Sequence, residues 1–346
     1  MTIPAGKTFL LNPTTFRGPC KSPAINIQVH EQREREREYK CSISSWGNDK
    51  EHWIHFKCVD GLSIQGSGTI DGQGHAWWPI KSAQETHALS FDVCTNLKLR
   101  DLHIVNSQQR HIAIHNSNTV YIGGLHINSP EDGPNSDGEL ENSFIATGDD
   151  CISIGDGTYD VNASKITCGP GHGISIGSLG KDGTRSTAEM IHVKDSFFIG
   201  TKNGARIKTW QLGKDSDDDS DYDIAMNMRV PDISNPMYRY IRILTDIFPQ
   251  NTRHQSSTLR PSGIMLQTSA VKVSDVQFIG VHGTCKSEVA VSIACSESIA
   301  CTNIVVNGLE IRSSEPQVSI TTYCLNAHGT AQGLCRPIIE RPFHDN

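Results

Sequence analysis

The sequence of 346 residues has no long hydrophobic run, no excess of positive charge and no zinc-type CxxC repeat. No apolar stretch approaches the roughly 18 residues of a membrane-spanning helix. With 31 basic and 38 acidic side chains the net charge is −7, so the molecule as a whole does not attract polyanions. We therefore expect neither a membrane nor a nucleic acid as partner. We also expect a monomer without a cofactor and without a bound metal.

The amino-terminal stretch MTIPAGKTFLLNP lacks the basic start and the cleavage site of a signal peptide. The 11 cysteines nevertheless favour an oxidising compartment, because three close pairs suggest disulfides. The predicted bonds are Cys151–Cys168, Cys295–Cys301 and Cys324–Cys335. We therefore expect a secreted, extracellular protein whose signal peptide lies upstream of Met1, with Cys20 as the thiol whose partner lies in that upstream segment.

Two stretches are dense in charge and break the pattern of the rest of the chain. EQREREREYK (31–40) is predicted to be a solvated loop or short helix, and KDSDDDSDYD (214–223) a solvated loop without the spacing of an EF-hand. We accordingly predict irregular or divergent insertions at 31–50 and 212–262.

A short pattern of alternating apolar residues, then Asp or Gly, then a second alternating pair recurs along the chain. Each unit predicts a strand, a bend at the Asp or Gly, and a second strand. Helical periodicity of useful length does not occur between the units. The units are LKLRDLHIVNS from Leu97, VYIGGLHINS from Val120, IHVKDSFFIG from Ile191, VKVSDVQFIG from Val271 and IVVNGLEIRSS from Ile304.

Strands of this kind cannot bury their apolar faces alone, whereas successive coils stacked into a solenoid can. We predict an all-β fold, a single-stranded right-handed parallel β-helix that forms one domain over 1–346. A β-sandwich is the alternative, although it would favour hairpin turns such as Asn-Gly.

Four polar clusters occupy the Gly-rich centre of the chain. The sequence interval from Asp149 to His172 equals the repeat interval from Leu97 to Val120, so an acid pair and an imidazole are expected on one face of neighbouring coils. The two cations of the last cluster stand at i and i+2 on a strand and point to the same side. The clusters are Asn135-Ser136-Asp137, Gly148-Asp149-Asp150, Gly171-His172-Gly173 and Arg206-Ile207-Lys208.

Taken singly, each cluster also fits an ordinary structural role, such as an Asx-turn, a solvated turn or an exposed strand face. Together they suit hydrolysis of a glycosidic bond, which needs one protonated carboxyl group and one ionised carboxylate. Two carboxyl groups close together can meet this need, because repulsion between their negative charges raises the pKa of one group while the other stays ionised. Fixed cations beside them would neutralise a carboxylate on the substrate, which indicates an acidic sugar polymer.

The blocks NSDG, IATGDDCISIG, CGPGHGISIGSLGK and RIKTW resemble the four signature blocks of family 28 glycoside hydrolases, the polygalacturonases, in their plant form. IPAGKTFLLNP, GLSIQGSGTIDGQGHAWW and NAHGTAQG are similar to further segments of that family. The resemblance implies a right-handed, pectin-lyase-like β-helix that hydrolyses α-1,4 links of de-esterified pectin in the plant cell wall, with inversion and without metal. It implies Asp149 as general acid, Asp137 and Asp150 as the carboxylates that activate water, His172 as an assisting imidazole, and Asn135, Arg206 and Lys208 as substrate ligands.

Two alternatives stay open: a catalytically impaired relative, which follows from a departure from the family pattern, and a pectate lyase of similar fold. The interval between Asp137 and Asp149 is much shorter than that between Leu97 and Val120, whereas the family places about one full coil between these blocks. A catalytically impaired relative would bind oligogalacturonate with weak or no hydrolysis. A pectate lyase would need calcium and a basic proton abstractor, and the carboxylates here resemble an acid/base set rather than a metal cage.

Overall fold

A computed structural model of the chain describes residues 1–31, 46, 51–77, 86–128, 150–180, 186–201, 203–209, 222–225, 240–243, 271–285, 288–295 and 299–339. These residues are almost entirely β-strands and turns, with a 3-10 turn at Gly74–Ala76. Across the described ranges, no helix has the length and apolar character needed to cross a membrane.

The described strands form three sheets, each assembled from one strand per coil. Sheet A contains, in spatial order, β1 (Thr2–Ile3), β3 (Ile25–Val29), β5 (Leu62–Gln65), β8 (Thr95–Arg100), β11 (Asn118–Gly123), β14 (Thr158–Ser164), β17 (Ala188–Lys194), β21 (Tyr240–Ile243), β22 (Val276–Cys285), β24 (Cys301–Ser313) and β26 (Ala327–Arg336). Sheet B contains β2 (Thr14–Arg17), β4 (His52–Lys57), β7 (His87–Asp92), β10 (Arg110–His115), β13 (Ile152–Ile154), β16 (Ile174–Leu179), β19 (Ala205–Thr209), β20 (Tyr222–Ala225), β23 (Val289–Ala294) and β25 (Thr321–Leu325). Sheet C contains β18 (Phe197–Phe198), β15 (Thr167–Cys168), β12 (His126–Asn128), β9 (His103–Val105) and β6 (Thr69–Asp71).

The chain winds from sheet to sheet and returns to each one coil later, so that it builds the predicted right-handed parallel β-helix. Val120 pairs with Leu97 in parallel register, which confirms the predicted repeat interval at that coil. Alternate residues of a strand point to opposite faces, and in the central coils one of the two sets points inward. On sheet B these residues stack into buried apolar rows, one of which consists of Phe56, Phe91, Ile114, Ile154, Ile176 and Ile207.

The bends between sheets fall at the Asp and Gly residues that the repeat pattern indicated. Asp101, Gly124, Asp195, Asp275 and Gly308 have φ angles of 59°, 65°, 47°, 60° and 67°. These values lie in the left-handed region, which glycine adopts without strain and which Asn and Asp tolerate better than most residues. The recurring Asp/Gly position therefore marks the corners of the coils.

Two features of the solenoid differ from a uniform parallel repeat. Coil length varies, since the interval from Ile152 to its neighbour Ile174 is shorter than the interval from Ile174 to Ala205 on the next strand. Within the predicted divergent segment 212–262, β20 and β21 run antiparallel to their neighbours β19, β23, β17 and β22. Both strands are four residues long and lie outside the repeat units that the sequence pattern identified.

Replacing Phe91 by Ala should lower the free energy of unfolding by about 3–5 kcal/mol, because it opens a cavity in the middle of an apolar row. Phe91 is fully buried and its ring stacks on Phe56 with centroids 5.5 Å apart. Chemical denaturation measures the change. Phe16 ends the same stack, 4.9 Å from Phe56, but is 37% exposed, so Phe16→Ala is a control that should cost clearly less. Equal losses in the two variants would contradict the described packing.

The structure contains two of the three predicted disulfides. Cys151 is bonded to Cys168 and Cys295 to Cys301. The predicted bond between Cys324 and Cys335 is wrong, because Cys324 lies in β25 of sheet B and Cys335 in β26 of sheet A, and both are free thiols. The Cys335 thiol instead donates to the carbonyl of Gln332 at 3.5 Å. The two cysteines are close in sequence, which suggested that they are close in space. The chain between them turns from sheet B to sheet A, so they lie on different sheets.

Alkylation of the native, non-reduced protein at pH 8 should label Cys20 and leave Cys94 unmodified. Cys20 is exposed, whereas Cys94 is fully buried and its burial raises the pKa of the thiol to about 11. Thiolate is the reactive species, so a buried thiol with a high pKa reacts slowly. Mass spectrometry after unfolding should then find Cys324 and Cys335 as separate thiols, whereas a peptide linking the two would overturn the correction made above.

Candidate active site

Asp150 is the predicted site residue whose surroundings the structure describes most fully. It precedes β13, and its side chain is fully buried. Backbone bonds hold this segment between adjacent coils, since His111 N–H donates to the Asp150 carbonyl at 3.3 Å and Cys151 N–H donates to the Gly173 carbonyl at 2.9 Å. Cys151, the residue after Asp150, is held by its disulfide bond to Cys168. The position of Asp150 is therefore determined by the coils on both sides of it.

The carboxylate of Asp150 binds a guanidinium and a hydroxyl from the next two coils. Arg206 donates from one terminal nitrogen to Asp150 Oδ1 at 3.0 Å and from Nε to Ser175 Oγ at 2.7 Å. The Ser175 hydroxyl in turn donates to Asp150 Oδ1 at 2.5 Å. The guanidinium thus uses two donors of its planar fork, an arrangement that the single ammonium of lysine does not reproduce.

Lys208 adds a second cation to the same carboxylate. Its Nζ lies 3.6 Å from Asp150 Oδ2, and both Lys208 and Arg206 are buried, with 6% and 9% exposure. The prediction that these two residues share one face of a strand is therefore confirmed. Within the part of the chain that the structure describes, this cluster pairs two cations with one carboxylate.

His172 lies between two glycines just before β16 and is half-buried. Gly173 has φ of 83°, and a Cβ at this position would lie 2.2 Å from the Asn203 carbonyl oxygen. Only glycine fits there, so the turn that carries the imidazole depends on Gly173. The pairing of Ile152 with Ile174, continued toward the start of both strands, aligns His172 with Asp150. The sequence interval had instead aligned His172 with Asp149. The observed pairing is therefore shifted by one residue from the predicted one.

Three predicted site residues, Asn135, Asp137 and Asp149, lie outside the described residues. Among the described ones, Asp150, Arg206 and Lys208 form one cluster on neighbouring coils. Ser175 belongs to that cluster but was not predicted. Period-2 alternation would have indicated it, since Ser153, Ser175 and Arg206 occupy successive places in one register row on the outer side of sheet B.

Followed toward the amino-terminal end of sheet B, the same row of paired residues reaches His55, which belongs to a second polar cluster. This cluster lines a pocket of about 500 Å³. The lining residues are Thr15, Arg17, Glu51, His52, His55, Lys57, His87, Asp92 and His115. His55 Nε2–H donates to Asp92 Oδ2 at 2.8 Å. Burial raises the pKa of Asp92, but the hydrogen bond from His55 and the electrostatic interactions with His55, His115 and His52 outweigh it, so this pKa lies below its usual range. We call this cluster the histidine pocket.

Comparison with known proteins identifies the family of the chain. Residues 1–332 match the sequence profile of "Glycosyl hydrolases family 28". The chain belongs to glycosyl hydrolases family 28. Relatives in the family include the Arabidopsis thaliana protein "Probable polygalacturonase At3g15720", 41% identical over 344 residues that cover 95% of this chain and 70% of that protein. Another is "Polygalacturonase QRT2" of Arabidopsis thaliana, 33% identical over 358 residues that cover 98% of this chain and 76% of that protein.

A solved structure supports the architecture of this family 28 member. The endo-xylogalacturonan hydrolase from Aspergillus tubingensis matches with a TM-score of 0.54 and 17% identity over 93% of each chain. At that identity the likeness concerns the fold, and it agrees with the stacked parallel sheets described above.

Proposed function

We propose that the chain hydrolyses α-1,4-galacturonosyl links of de-esterified pectin with inversion, as one extracellular β-helix domain acting on the cell wall. The observation that carries the proposal is the buried Asp150–Arg206–Lys208 cluster on the outer face of sheet B. Family membership, the names of the relatives and the two disulfides support it.

The charge of the cluster favours an acidic substrate. The whole chain has a net charge of −7, yet the described residues of this part of sheet B place two cations beside one carboxylate. Arg17 and Lys57 line the histidine pocket on the same sheet. Because a uronate carboxylate is stabilised by charge-assisted hydrogen bonds, such a surface binds a galacturonate chain better than a neutral glucan.

The catalytic assignment rests on the resemblance of the four blocks together with the environment of Asp150. Arg206 and Lys208 lie beside the carboxyl group of Asp150, and a carboxylate is the form that accepts a proton from water. We propose Asp150 and Asp137 for that role, and Asp149 as the acid that protonates the leaving oxygen. His172 is proposed to assist, and Asn135, Arg206 and Lys208 to bind the substrate. In inverting enzymes the acid and base carboxyl groups stand roughly 6.5–9.5 Å apart, which leaves room for the water.

The test is an assay of new reducing ends from de-esterified polygalacturonate, run beside a measurement of unsaturated product. Hydrolysis predicts reducing ends without unsaturated product, at the same rate with a calcium chelator. Fully methyl-esterified pectin is the matched control and should be cleaved much more slowly, since it lacks the carboxylate. Calcium-dependent unsaturated product would indicate a lyase, and oligogalacturonate binding without new reducing ends would indicate the impaired relative. Either result overturns the proposal.

A further inference from the structure

The histidine pocket contains a set of side chains that the proposed hydrolysis does not use. One ligand atom from each of His52, His55 and Asp92 lies within 4.8 Å of the others. The His52 and His55 rings stack with centroids 4.1 Å apart, so the two imidazoles face the same side although they belong to one short strand. Asp92 approaches from the neighbouring strand β7, where it pairs with Lys57 in register.

We propose that His52, His55 and Asp92 bind a divalent transition-metal ion of the Zn²⁺ type. Two imidazoles and one carboxylate form a donor set that zinc accepts, and calcium and magnesium prefer oxygen ligands alone. Three protein ligands leave a fourth position, which faces the open pocket and takes water or an anionic group. The site is separate from the acid/base set and supplies no step of the hydrolysis.

To take up the ion, at least one imidazole must rotate, because the nitrogen lone pairs of two stacked rings lie in nearly parallel planes and do not meet at one point. With metal–ligand distances of about 2.0–2.1 Å, a tetrahedral site places its ligand atoms about 3.3 Å apart. The present separations run from 2.8 Å between His55 Nε2 and Asp92 Oδ2 up to 4.8 Å across the set. The hydrogen bond between His55 and Asp92 holds two of the donors together, and the ion replaces the proton on His55 Nε2, which leaves that nitrogen as the ion binds. Parallel pairing of β4 with β7 fixes the backbones that carry all three.

Two further imidazoles surround the site. The His87 ring lies 5.9 Å from the His52 ring and 6.5 Å from the His115 ring. Gly155 makes room for His115, because a Cβ at position 155 would come within 1.9 Å of His115 Nδ1. Arg17 and Lys57 line the pocket as well and would pair with an anion at the open metal position. The pocket therefore combines a three-residue ligand set with an accessible fourth position.

The strand order separates the metal site from the hydrolytic cluster. In sheet B, β10 lies between β7 and β13, so the nearest strands of the two sites are about 10 Å apart at the usual spacing of neighbouring strands. Zinc binding is accordingly measurable whether or not the chain hydrolyses pectin, and the proposal does not rest on the proposed function.

Isothermal titration of ZnCl₂ into the full-length, disulfide-intact protein with alkylated thiols tests the site. We expect one saturable site per chain, and we expect His52→Ala and Asp92→Asn each to weaken binding at least tenfold. The matched control is the double variant His103→Ala/His126→Ala. It removes two exposed imidazoles whose rings lie 5.0 Å apart on sheet C, and it should leave the affinity unchanged.

A thermal melt with and without ZnCl₂ gives a second readout, since an ion that binds only the folded chain raises its melting temperature. The wild type should gain stability from zinc, and His52→Ala should lose that gain while melting normally without metal. His52 stands at the start of β4 and is only half-buried, so its variant is expected to fold. No saturable binding by the wild type, or equal binding by His52→Ala, would refute the site. Loss of affinity in the sheet C control would also refute it.

Discussion

Asp150→Asn should reduce the rate of polygalacturonate hydrolysis by about 10²–10⁴-fold, the usual contribution of a positioned acid or base. It should also lower the free energy of unfolding by about 3–5 kcal/mol, because Arg206 and Lys208 would be left buried without their counter-charge. Both effects follow from one carboxylate that is fully buried and contacts both cations. Initial rates and chemical denaturation of the same preparations measure them together.

The control for this variant is Asp160→Asn, which removes the same charge on sheet A. Asp160 is half-buried and accepts a hydrogen bond from Asn162 at 3.0 Å. Its replacement should leave the rate unchanged and cost little stability. If Asp150→Asn retained the rate of the wild type, Asp150 could not be one of the carboxylates that activate water.

Arg206→Lys should lower kcat/KM about tenfold to a hundredfold, although it preserves the charge. A lysine cannot donate to Ser175 Oγ and Asp150 Oδ1 in the fixed geometry of the guanidinium. A lost hydrogen bond to a charged group costs about 1.5–3 kcal/mol, which corresponds to that range in rate. Steady-state kinetics on oligogalacturonates of defined length would measure the change.

The matched control for Arg206→Lys is Arg100→Lys, the same substitution on the outer face of sheet A. The Arg100 guanidinium is exposed and lies 5.4 Å from the centre of the Tyr121 ring, so this control makes the same charge-preserving change away from the cluster. Unchanged kinetics are expected. Equal losses in the two variants would mean that the Arg206 fork has no specific role.

Much of the fold was predictable from the sequence because the corners of the coils have a strong local signature. Asp101, Gly124 and Asp195 follow alternating apolar strands and adopt the left-handed conformation that their residue types tolerate. The lengths of the individual coils were not predictable. They depend on how far each loop extends from the solenoid, and surface loops tolerate insertion at small entropic cost. This is why the register at His172 differs by one position from the interval that the sequence indicated.

The candidate site was predictable to the extent that its residues form compact sequence blocks. Arg206 and Lys208 were placed correctly because strand alternation fixes the side of i and i+2. The histidine pocket was missed because its members come from separate coils and meet only through sheet register. His52, Asp92 and His115 lie on three successive strands of sheet B, far apart in sequence and without a recognisable motif.

The most direct test of the account is a proton NMR time course of oligogalacturonate cleavage by the wild type and by Asp149→Asn. Inverting hydrolysis of an α-1,4 link predicts that the new reducing end forms first as the β-anomer, and that Asp149→Asn abolishes the signal while oligogalacturonate still binds. First formation of the α-anomer, or undiminished cleavage by Asp149→Asn, would contradict the assignment of this site as an inverting polygalacturonase centre.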